Sequence, residues 1–376
     1  MDAASGFGKD HLSRCTGPCG PEGDIGGNRG TMGRRITTLA CAVTMGLGSL
    51  VTAAIAEPTA AEAAPPPSWT VTSGPVVGVT LQAVSCATTV SCVAVGYDGA
   101  SNTLIESYSG GVWSVTSAPV VSGFLLGVSC PKNTTSCTAV GYDASNHPLI
   151  ETLSGTTWSI TTGPAIGGNL YGVSCPKITF CAAVGYDGAF HALIETFNGI
   201  SWSVAASPSI AGVLYAVSCS KVTKCAAVGH DNGASDSVIE QFSGGVWSVA
   251  PSPSTGGTLR GVSCPKATAC VGVGYNATAT HPVVETLSGT AWTTTTSPAV
   301  AGYFNGVSCP KPTACVAVGS NDAGSPLIES MSGGNWTVTT NPAVSTGQLD
   351  GVSCPKVKPC TAVGNLNGLT LLERYA

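Results

Sequence analysis

From residue 69 onward, short apolar runs alternate with turns that are rich in glycine, serine and asparagine. One unit reads L-x-G-V-S-C-P-K-x-T-x-C-x-A-V-G-Y-D, then a variable stretch, then L-I-E-T-x-S-G-x-x-W-S-V-x-x-x-P. The runs LxGVSC, CxAVGYD, LIETxS and WSVxx are rich in β-branched residues and bounded by turn residues, which is typical of strands. No segment after Pro65 has a helical period. The pattern therefore predicts four short strands in each unit.

The unit recurs at a fixed interval, because seven tryptophans follow one another every 44 or 45 residues. Four-stranded units of roughly 40–50 residues are typical of β-propeller blades. The first tryptophan strand, residues 69–72, has no earlier strands, and the last unit ends on its third strand, residues 371–375. We expect the first strand to complete the last blade and close the ring. The predicted fold class is all-β: a seven-bladed β-propeller with four-stranded blades.

The first 68 residues differ in composition from the repeats. Arg34 and Arg35 precede an apolar stretch, residues 36–56, followed by small residues and a proline run, as in a secretory signal peptide. We expect an upstream extension or disordered segment at 1–31, a signal peptide at 32–63, a linker at 64–68 and the propeller at 69–376. The predicted protein is a secreted, extracellular monomer. The apolar stretch could also span a bilayer, so attachment to the cell envelope stays open, and a membrane is a predicted partner only if this segment is not cleaved.

Fourteen of the 17 cysteines form seven pairs within the first two strands of the units. An even number of cysteines in a secreted chain predicts disulfides, each joining the first strand of a blade to the second. Zinc would need further ligands, and the four histidines after the signal are not at repeat spacing, so we predict no metal and no cofactor. The predicted pairs are Cys86–Cys92, Cys130–Cys137, Cys175–Cys181, Cys219–Cys225, Cys264–Cys270, Cys309–Cys315 and Cys354–Cys360.

Repetition separates structural positions from candidate functional ones. A glutamate recurs in all seven third strands and a lysine follows the first cysteine in six units, which predicts structural ion pairs or backbone acceptors. The serine before each first cysteine is interpreted as structural for the same reason.

The x of L-x-G-V-S differs between units, although its neighbours hardly change. It begins the innermost strand at the mouth of the central channel, on the face of the variable loops, where binding residues tend to lie. Its mixture of aromatic, amide and charged groups suits a small polar ligand. We predict stacking by Tyr171, Tyr215 and Phe304, the last of which stands before x in the one unit that reads F-x-G-V-S. Hydrogen bonding is predicted for the polar members, and Leu126 is the remaining residue at x. The predicted ligand-binding residues are Gln82, Tyr171, Tyr215, Arg260, Phe304, Asn305 and Asp350.

The turn before each fourth strand resembles the Asp-box of BNR-repeat propellers, including the sialidases, which reads S-x-D-x-G-x-T-W. In residues 154–158, Ser-Gly-Thr-Thr-Trp, the Gly-x-x-Trp part matches, whereas the aspartate is replaced and the turn is shorter. The resemblance covers residues 69–376 and implies a propeller fold. Sialidases use an arginine triad beside a Tyr–Glu pair, and only Arg260 and Arg374 follow the signal. The resemblance therefore does not extend to sialidase activity.

The net charge of the chain restricts the class of partner that it can bind. After the predicted cleavage, ten Lys/Arg and fourteen Asp/Glu give a net charge of −4, and the sequence indicates no basic patch, so nucleic acid is not a predicted partner. The favoured function is non-catalytic binding of a glycan or another cell-surface ligand, including a cell-surface protein, at the loop-rich face. The alternative is a protein–protein interaction scaffold of the cell envelope. A third hypothesis is a cryptic hydrolase or lyase that depends on Asp350 or Arg260.

Overall fold

Seven antiparallel sheets of four strands form a seven-bladed β-propeller. The computed structural model describes residues 68–75, 79–208, 210–253, 256–298, 301–339, 344 and 346–375. The predicted upstream extension, signal peptide and all but the last linker residue lie outside these ranges. Within them there is no helix, and hence none that is long and apolar enough to cross a membrane.

Blades 1 to 6 each consist of four consecutive strands, whereas blade 7 combines the last three strands with the first. The strands of blades 1 to 3, preceded by the strand that completes blade 7, are β1 (Trp69–Val71); β2 (Val79–Thr88), β3 (Ser91–Asp98), β4 (Thr103–Ser109) and β5 (Val112–Val115); β6 (Gly123–Ser129), β7 (Cys137–Asp143), β8 (Pro148–Ser154) and β9 (Thr157–Ile160); β10 (Gly168–Lys177), β11 (Phe180–Asp187), β12 (Ala192–Phe197) and β13 (Trp202–Val204).

Blades 4 to 7 continue the same pattern of long inner strands and short outer ones. They contain β14 (Gly212–Lys221), β15 (Lys224–Asp231), β16 (Asp236–Ser243) and β17 (Val246–Ala250); β18 (Thr258–Lys266), β19 (Ala269–Tyr275), β20 (Pro282–Ser288) and β21 (Ala291–Thr295); β22 (Gly302–Lys311), β23 (Ala314–Asn321), β24 (Pro326–Ser332) and β25 (Asn335–Val338); β26 (Gln348–Ser353), β27 (Cys360–Leu366) and β28 (Leu369–Tyr375).

The ring closes through the first strand of the chain. β1 pairs antiparallel with β28, with Trp69 opposite Tyr375 and Val71 opposite Glu373. Beyond the strand, the Thr72 N–H donates a hydrogen bond of 2.8 Å to the Leu372 carbonyl. Blade 7 thereby gains its outermost strand from the N-terminal part of the propeller sequence. Both the predicted fold class and the predicted closure are confirmed.

The hydrophobic core is divided into seven clusters that lie between neighbouring blades. Val95 of blade 1 packs with Leu125 and Trp158 of blade 2. Ala94, the preceding residue of the same strand, packs with Val363 of blade 7. Because side chains alternate along a strand, each blade contributes to two clusters. The tryptophans of the repeat are 2–8% exposed, and their period reflects one buried indole for each blade interface.

All seven predicted disulfides are formed, each across the turn between the first two strands of its blade. The serine before each first cysteine has a repeated structural role. Its Oγ accepts a hydrogen bond of 2.9–3.0 Å from the backbone N–H of the first cysteine in the next blade, and Ser353 reaches Cys86 across the closure. The innermost strands are therefore linked around the whole ring.

The strands alternate in direction, so the connections separate onto two faces. The upper face carries the connections between strands two and three and those between blades, which are joined by an isolated bridge between Asn102 and Ser122. The lower face carries the turns between strands one and two and between strands three and four. The Gly289 N–H, in the latter turn of blade 5, donates a hydrogen bond of 3.0 Å to the Thr268 carbonyl in the former.

The repeated glutamates are fully buried in the third strands, and their predicted pairing with lysines is wrong. The lysines lie exposed in turns of the lower face, and the ion pairs found among the described residues join histidine to aspartate. Hydroxyl groups of the preceding blade contact some of the carboxyls instead: Ser207 donates to Glu240 over 2.8 Å and Ser297 to Glu329 over 2.9 Å. The seven glutamates are Glu106, Glu151, Glu195, Glu240, Glu285, Glu329 and Glu373.

Glu106 and Glu195 lack such a serine, because the equivalent position of the preceding blade is a glycine: Gly74 for Glu106 and Gly163 for Glu195. A Cβ atom at Gly74 or Gly163 would lie 3.8 Å and 3.6 Å from the respective carboxyl oxygens, and neither carboxyl has a hydrogen-bond partner. Desolvation by burial raises the pKa of both groups from 4.5 to about 7. These carboxyls therefore remain protonated in the folded protein well above the pH at which they ionise in the unfolded chain.

This difference predicts that the protein is more stable at pH 5 than at pH 8. Between pH 4.5 and about 7 the folded state binds more protons than the unfolded state, so the free energy of unfolding decreases as the pH rises through this window. A pKa raised from 4.5 to about 7 corresponds to a loss of about 3 kcal/mol in the free energy of unfolding per carboxyl across this window. Denaturant unfolding of the oxidised protein at several pH values measures the slope. The Glu106→Gln/Glu195→Gln variant should show a shallower slope; equal stability of the wild type at pH 5 and pH 8 would contradict this account.

Candidate ligand-binding site at the channel mouth

The variable residue of L-x-G-V-S is the extra residue of a β-bulge. In blade 3 the pairing passes from Leu170 opposite Gly185 to Gly172 opposite Val184, which leaves Tyr171 without a cross-strand partner. A bulge re-aims the side chain that it carries. The same irregularity occurs in every blade, at Gln82, Leu126, Tyr171, Tyr215, Arg260, Asn305 and Asp350.

The bulge explains why every G-Y-D segment, or its equivalent, begins with glycine. A Cβ atom at Gly185 would lie 1.8 Å from the Asn169 carbonyl oxygen, and the equivalent distance is 2.0 Å or less in all seven blades. No side chain fits so close to backbone. The bulge itself was not predicted from the sequence, although this repeated glycine in the second strand was a signal for it.

All seven bulged residues line one cavity of about 530 Å³ at the upper end of the channel. The structure thus brings together six of the seven predicted site residues: Gln82, Tyr171, Tyr215, Arg260, Asn305 and Asp350. Leu126 completes the ring, and Tyr275, Ala279, Tyr303 and Gln348 also line the cavity.

The prediction for Phe304 is wrong. Phe304 is 0% exposed and packs with Val307 and Trp336 in the core between blades 5 and 6. It occupies the leucine position of L-x-G-V-S, directly before the bulged Asn305, and therefore replaces a core leucine with another apolar residue. It cannot stack on a ligand.

One side of the cavity is aromatic and cationic. The Arg260 guanidinium lies 4.4 Å from the ring centroid of Tyr215 and 5.7 Å from that of Tyr275, so one face of Tyr215 is covered. Tyr171 meets Tyr215 edge to face at 5.4 Å and stacks with Tyr186 at 5.9 Å. Burial raises the pKa of Tyr171 to about 12, which keeps its hydroxyl available as a hydrogen-bond donor.

The other side of the cavity is a network of amide and carboxyl groups. Asn305 Nδ2 and Gln348 Nε2 donate hydrogen bonds of 3.1 Å and 2.9 Å to Asp350 Oδ1, and the Tyr303 hydroxyl donates to Gln348 Oε1 over 3.2 Å. Burial raises the pKa of Asp350 to about 7, while the hydrogen bond from Gln348 and the charge of Arg260 act in the opposite direction.

Two polar atoms of this site are buried and have no hydrogen-bond partner. They are Nε of Arg260, which is a donor, and Oδ2 of Asp350, which accepts when the carboxyl is ionised. Buried polar groups without partners are uncommon and costly. Both residues line the same cavity, which indicates that the site is suited to a ligand that offers both an acceptor and a donor.

Tyr303 and Gln348 were not predicted as site residues. Each lies two positions before a bulged residue, on the same side of its strand, and this position also varies between blades. The variability that identified the bulged position was therefore present here as well. Both residues, with Gln82, also line an adjoining polar cavity of about 520 Å³ on the upper face, which extends the site outward over blades 6, 7 and 1.

The variable loops of the upper face are held by a repeated interaction. In blade 3, Asp187 Oδ1 accepts hydrogen bonds of 2.8 Å and 2.9 Å from the backbone N–H groups of Ala189 and His191. Asp or Asn at the same position of blades 1, 2, 4, 5 and 6 caps its loop in the same way. In blade 7 that position is Leu366, and Asn365, one residue earlier, accepts a hydrogen bond from the Gly368 N–H instead. Among the residues that the structure describes, no three His, Cys, Asp or Glu side chains lie together as a metal site.

Comparisons with known proteins identify the fold. No family model matches the sequence, and no curated protein matches it. A structure of YCF48 bound to a D1 peptide is 14% identical, with a TM-score of 0.59 over 82% of this chain and 96% of that chain. A catalytically inactive virginiamycin B lyase from Staphylococcus aureus with quinupristin is 8% identical, with a TM-score of 0.66 over 83% and 100%. The WD40 propeller domain of Doa1 is 12% identical, with a TM-score of 0.54 over 79% and 96%.

These likenesses show the propeller fold and nothing finer. The fold implied by the BNR-repeat resemblance is therefore confirmed, whereas no family match supports the Asp-box assignment itself. The chain is a seven-bladed β-propeller whose channel mouth is lined by one variable residue from each blade.

The bulge makes a testable prediction about stability. Gly185→Ala should destabilise the protein by about 3 kcal/mol or more, because its Cβ atom would overlap the Asn169 carbonyl. Gly272→Ala is the matched control: it lies in the second strand of blade 5, its Cβ atom would meet nothing closer than 3.5 Å, and other blades have alanine there. We expect the control to be neutral or slightly stabilising. Similar denaturation midpoints for the two variants would show that the bulge is not rigid.

Proposed function

We propose that the protein is a secreted, non-catalytic binding protein that recognises a glycan at the channel mouth of the propeller. The observation that carries this proposal is the cavity of about 530 Å³ into which all seven blades direct their bulged residue. A secreted location is supported by the seven disulfides, which persist in oxidising compartments.

The groups of the cavity match the chemistry of sugars. Sugar hydroxyls both accept and donate hydrogen bonds, and so can complement the guanidinium of Arg260 and the carboxyl of Asp350. The amides of Gln82, Asn305 and Gln348 can bind further hydroxyls, and the tyrosines offer apolar surface for the C–H faces of a pyranose ring. The adjoining polar cavity leaves room for additional sugar units.

The second candidate is an interaction scaffold of the cell envelope that binds a peptide segment of another protein. Two adjoining cavities on the upper face, which share Gln82, Tyr303 and Gln348, would fit an extended chain. The similar structure of YCF48 holds a peptide, which favours this alternative at the level of the fold.

A lyase or hydrolase is the third candidate, favoured by Asp350. Its pKa of about 7 would allow this carboxyl to exchange a proton near neutral pH, and one similar structure is a lyase variant. Turnover of a bound compound that is lost in Asp350→Asn while binding persists would assign catalysis to this site.

Glycan-array binding by the oxidised protein tests the main proposal. We expect selective binding, weakened at least about tenfold in Tyr171→Ala and in Arg260→Ala, because each removes contact surface or a donor from the cavity. Val120→Ser, at a residue that is 82% exposed on the upper face outside the cavity, should bind as the wild type does. If no glycan binds at high protein concentration, the glycan proposal is wrong, and cross-linking to envelope proteins then tests the scaffold.

A further inference from the structure

The lower face of the propeller carries eight exposed lysines. Six occupy the same place in blades 2 to 7, two residues after the first cysteine, where the first strand passes into its turn, and two more lie beside the same turns. Lys132 also lines the cavity at the lower end of the channel. These turns form one surface with the turns between strands three and four. The lysines are Lys132, Lys177, Lys221, Lys224, Lys266, Lys311, Lys356 and Lys358.

Acidic side chains are segregated from this surface. The seven glutamates are buried within the blades, Asp350 lies in the channel mouth, and the remaining aspartates lie in the loops of the upper face. No lysine among the described residues has a carboxylate within ion-pairing distance. The net negative charge of the chain conceals this separation, and the prediction that the lysines form no basic patch is wrong.

The same surface also exposes aliphatic side chains at the tips of its turns. Ile178 follows Lys177 and is 58% exposed, and Ile200, in the outer turn of the same blade, is 90% exposed. Val90, in the turn between the first two strands of blade 1, and Val112 and Val246, directly before the tryptophans of blades 1 and 4, are exposed as well. Lysines alone would suit any polyanion, but branched aliphatic residues at the tips gain nothing from a partner that is polar throughout.

We propose that the lower face docks on an anionic lipid surface. Lysine ammonium groups would contact the headgroup phosphates, and the isoleucine and valine tips would enter the boundary between headgroups and acyl chains. Cations repeated in six blades fit a fluid surface, which imposes no register. This orientation places the channel mouth on the side away from the lipid, and it needs no membrane-spanning segment.

Vesicle co-sedimentation of the full chain tests the proposal. We expect binding to vesicles that contain phosphatidylglycerol, weaker binding to phosphatidylcholine alone, and a decrease as salt is added. A variant with glutamine at lysines 132, 177, 221, 266, 311 and 356 should bind the anionic vesicles about tenfold more weakly or worse. The matched control replaces the same six lysines with arginine and should keep the affinity.

Two single-site comparisons isolate the apolar contribution. Ile200→Ser on the lower face should reduce binding several-fold without changing its salt dependence, whereas Val120→Ser, on the upper face, should have no effect. Residues 36–56 are present in every variant, so differences between variants report on the lower face. The lysines are exposed and unpaired with carboxylates, and near-ultraviolet circular dichroism verifies that the variants fold.

Unchanged vesicle binding by the glutamine variant would overturn the proposal. So would lysine-dependent binding to soluble polyphosphate with none to vesicles, since this would assign the face to a polyanion in solution. If the glutamine variant does not fold, a variant with Lys132, Lys221 and Lys311 replaced gives the same comparison. Tyr171→Ala, in the channel mouth, should leave vesicle binding unchanged, so this test is independent of the glycan proposal.

Discussion

The antiparallel pairing of β1 with β28 is the contact on which the rest of the structure depends. Each hydrophobic cluster is shared by two blades, so an open ring would expose half a cluster at each end. Trp69 fills the cluster between blades 6 and 7, which also contains Val318 and Leu371, and Ser353 of blade 7 accepts a hydrogen bond from the Cys86 N–H of blade 1. Closure removes the free sheet edges, and because the entropy cost of closing a loop rises only slowly with its length, joining strands about 300 residues apart is feasible.

Closure also determines how variable the channel mouth can be. Seven innermost strands must converge on one axis, and their backbones approach closely: a Cβ atom at Gly172 would lie 2.9 Å from the Tyr215 carbonyl oxygen. Positions that face a neighbouring blade are therefore restricted to small or precisely shaped residues. The bulged residue is released from this restriction because it has no cross-strand partner and its side chain enters the channel. The bulge thus permits diversity at one position of an otherwise uniform unit.

The features that were predictable from the sequence are those that depend on a local, repeated pattern. The tryptophan period sets the number of blades, the cysteine spacing sets the disulfides, and the strand missing from the last unit sets the closure. Features that depend on the side chain's direction were not predictable. Phe304 looked like a variable residue because it replaces leucine, but its neighbour Asn305 is the one that points into the channel. The glutamates and lysines recur with the same period, and only the structure shows that one set is buried in mid-strand and the other lies in exposed turns.

Repetition has opposite consequences at the two ends of the propeller. A residue repeated in successive blades is placed on the same face each time, so the lysine that recurs in blades 2 to 7 becomes a row of like charges around most of the axis. Such a row matches a partner that is itself uniform, as a lipid surface is. At the upper end the bulged residues differ between most blades, so the cavity has a cationic, an aromatic and an amide side. Seven residues of six types define an orientation about the axis, which is what recognition of one discrete ligand requires.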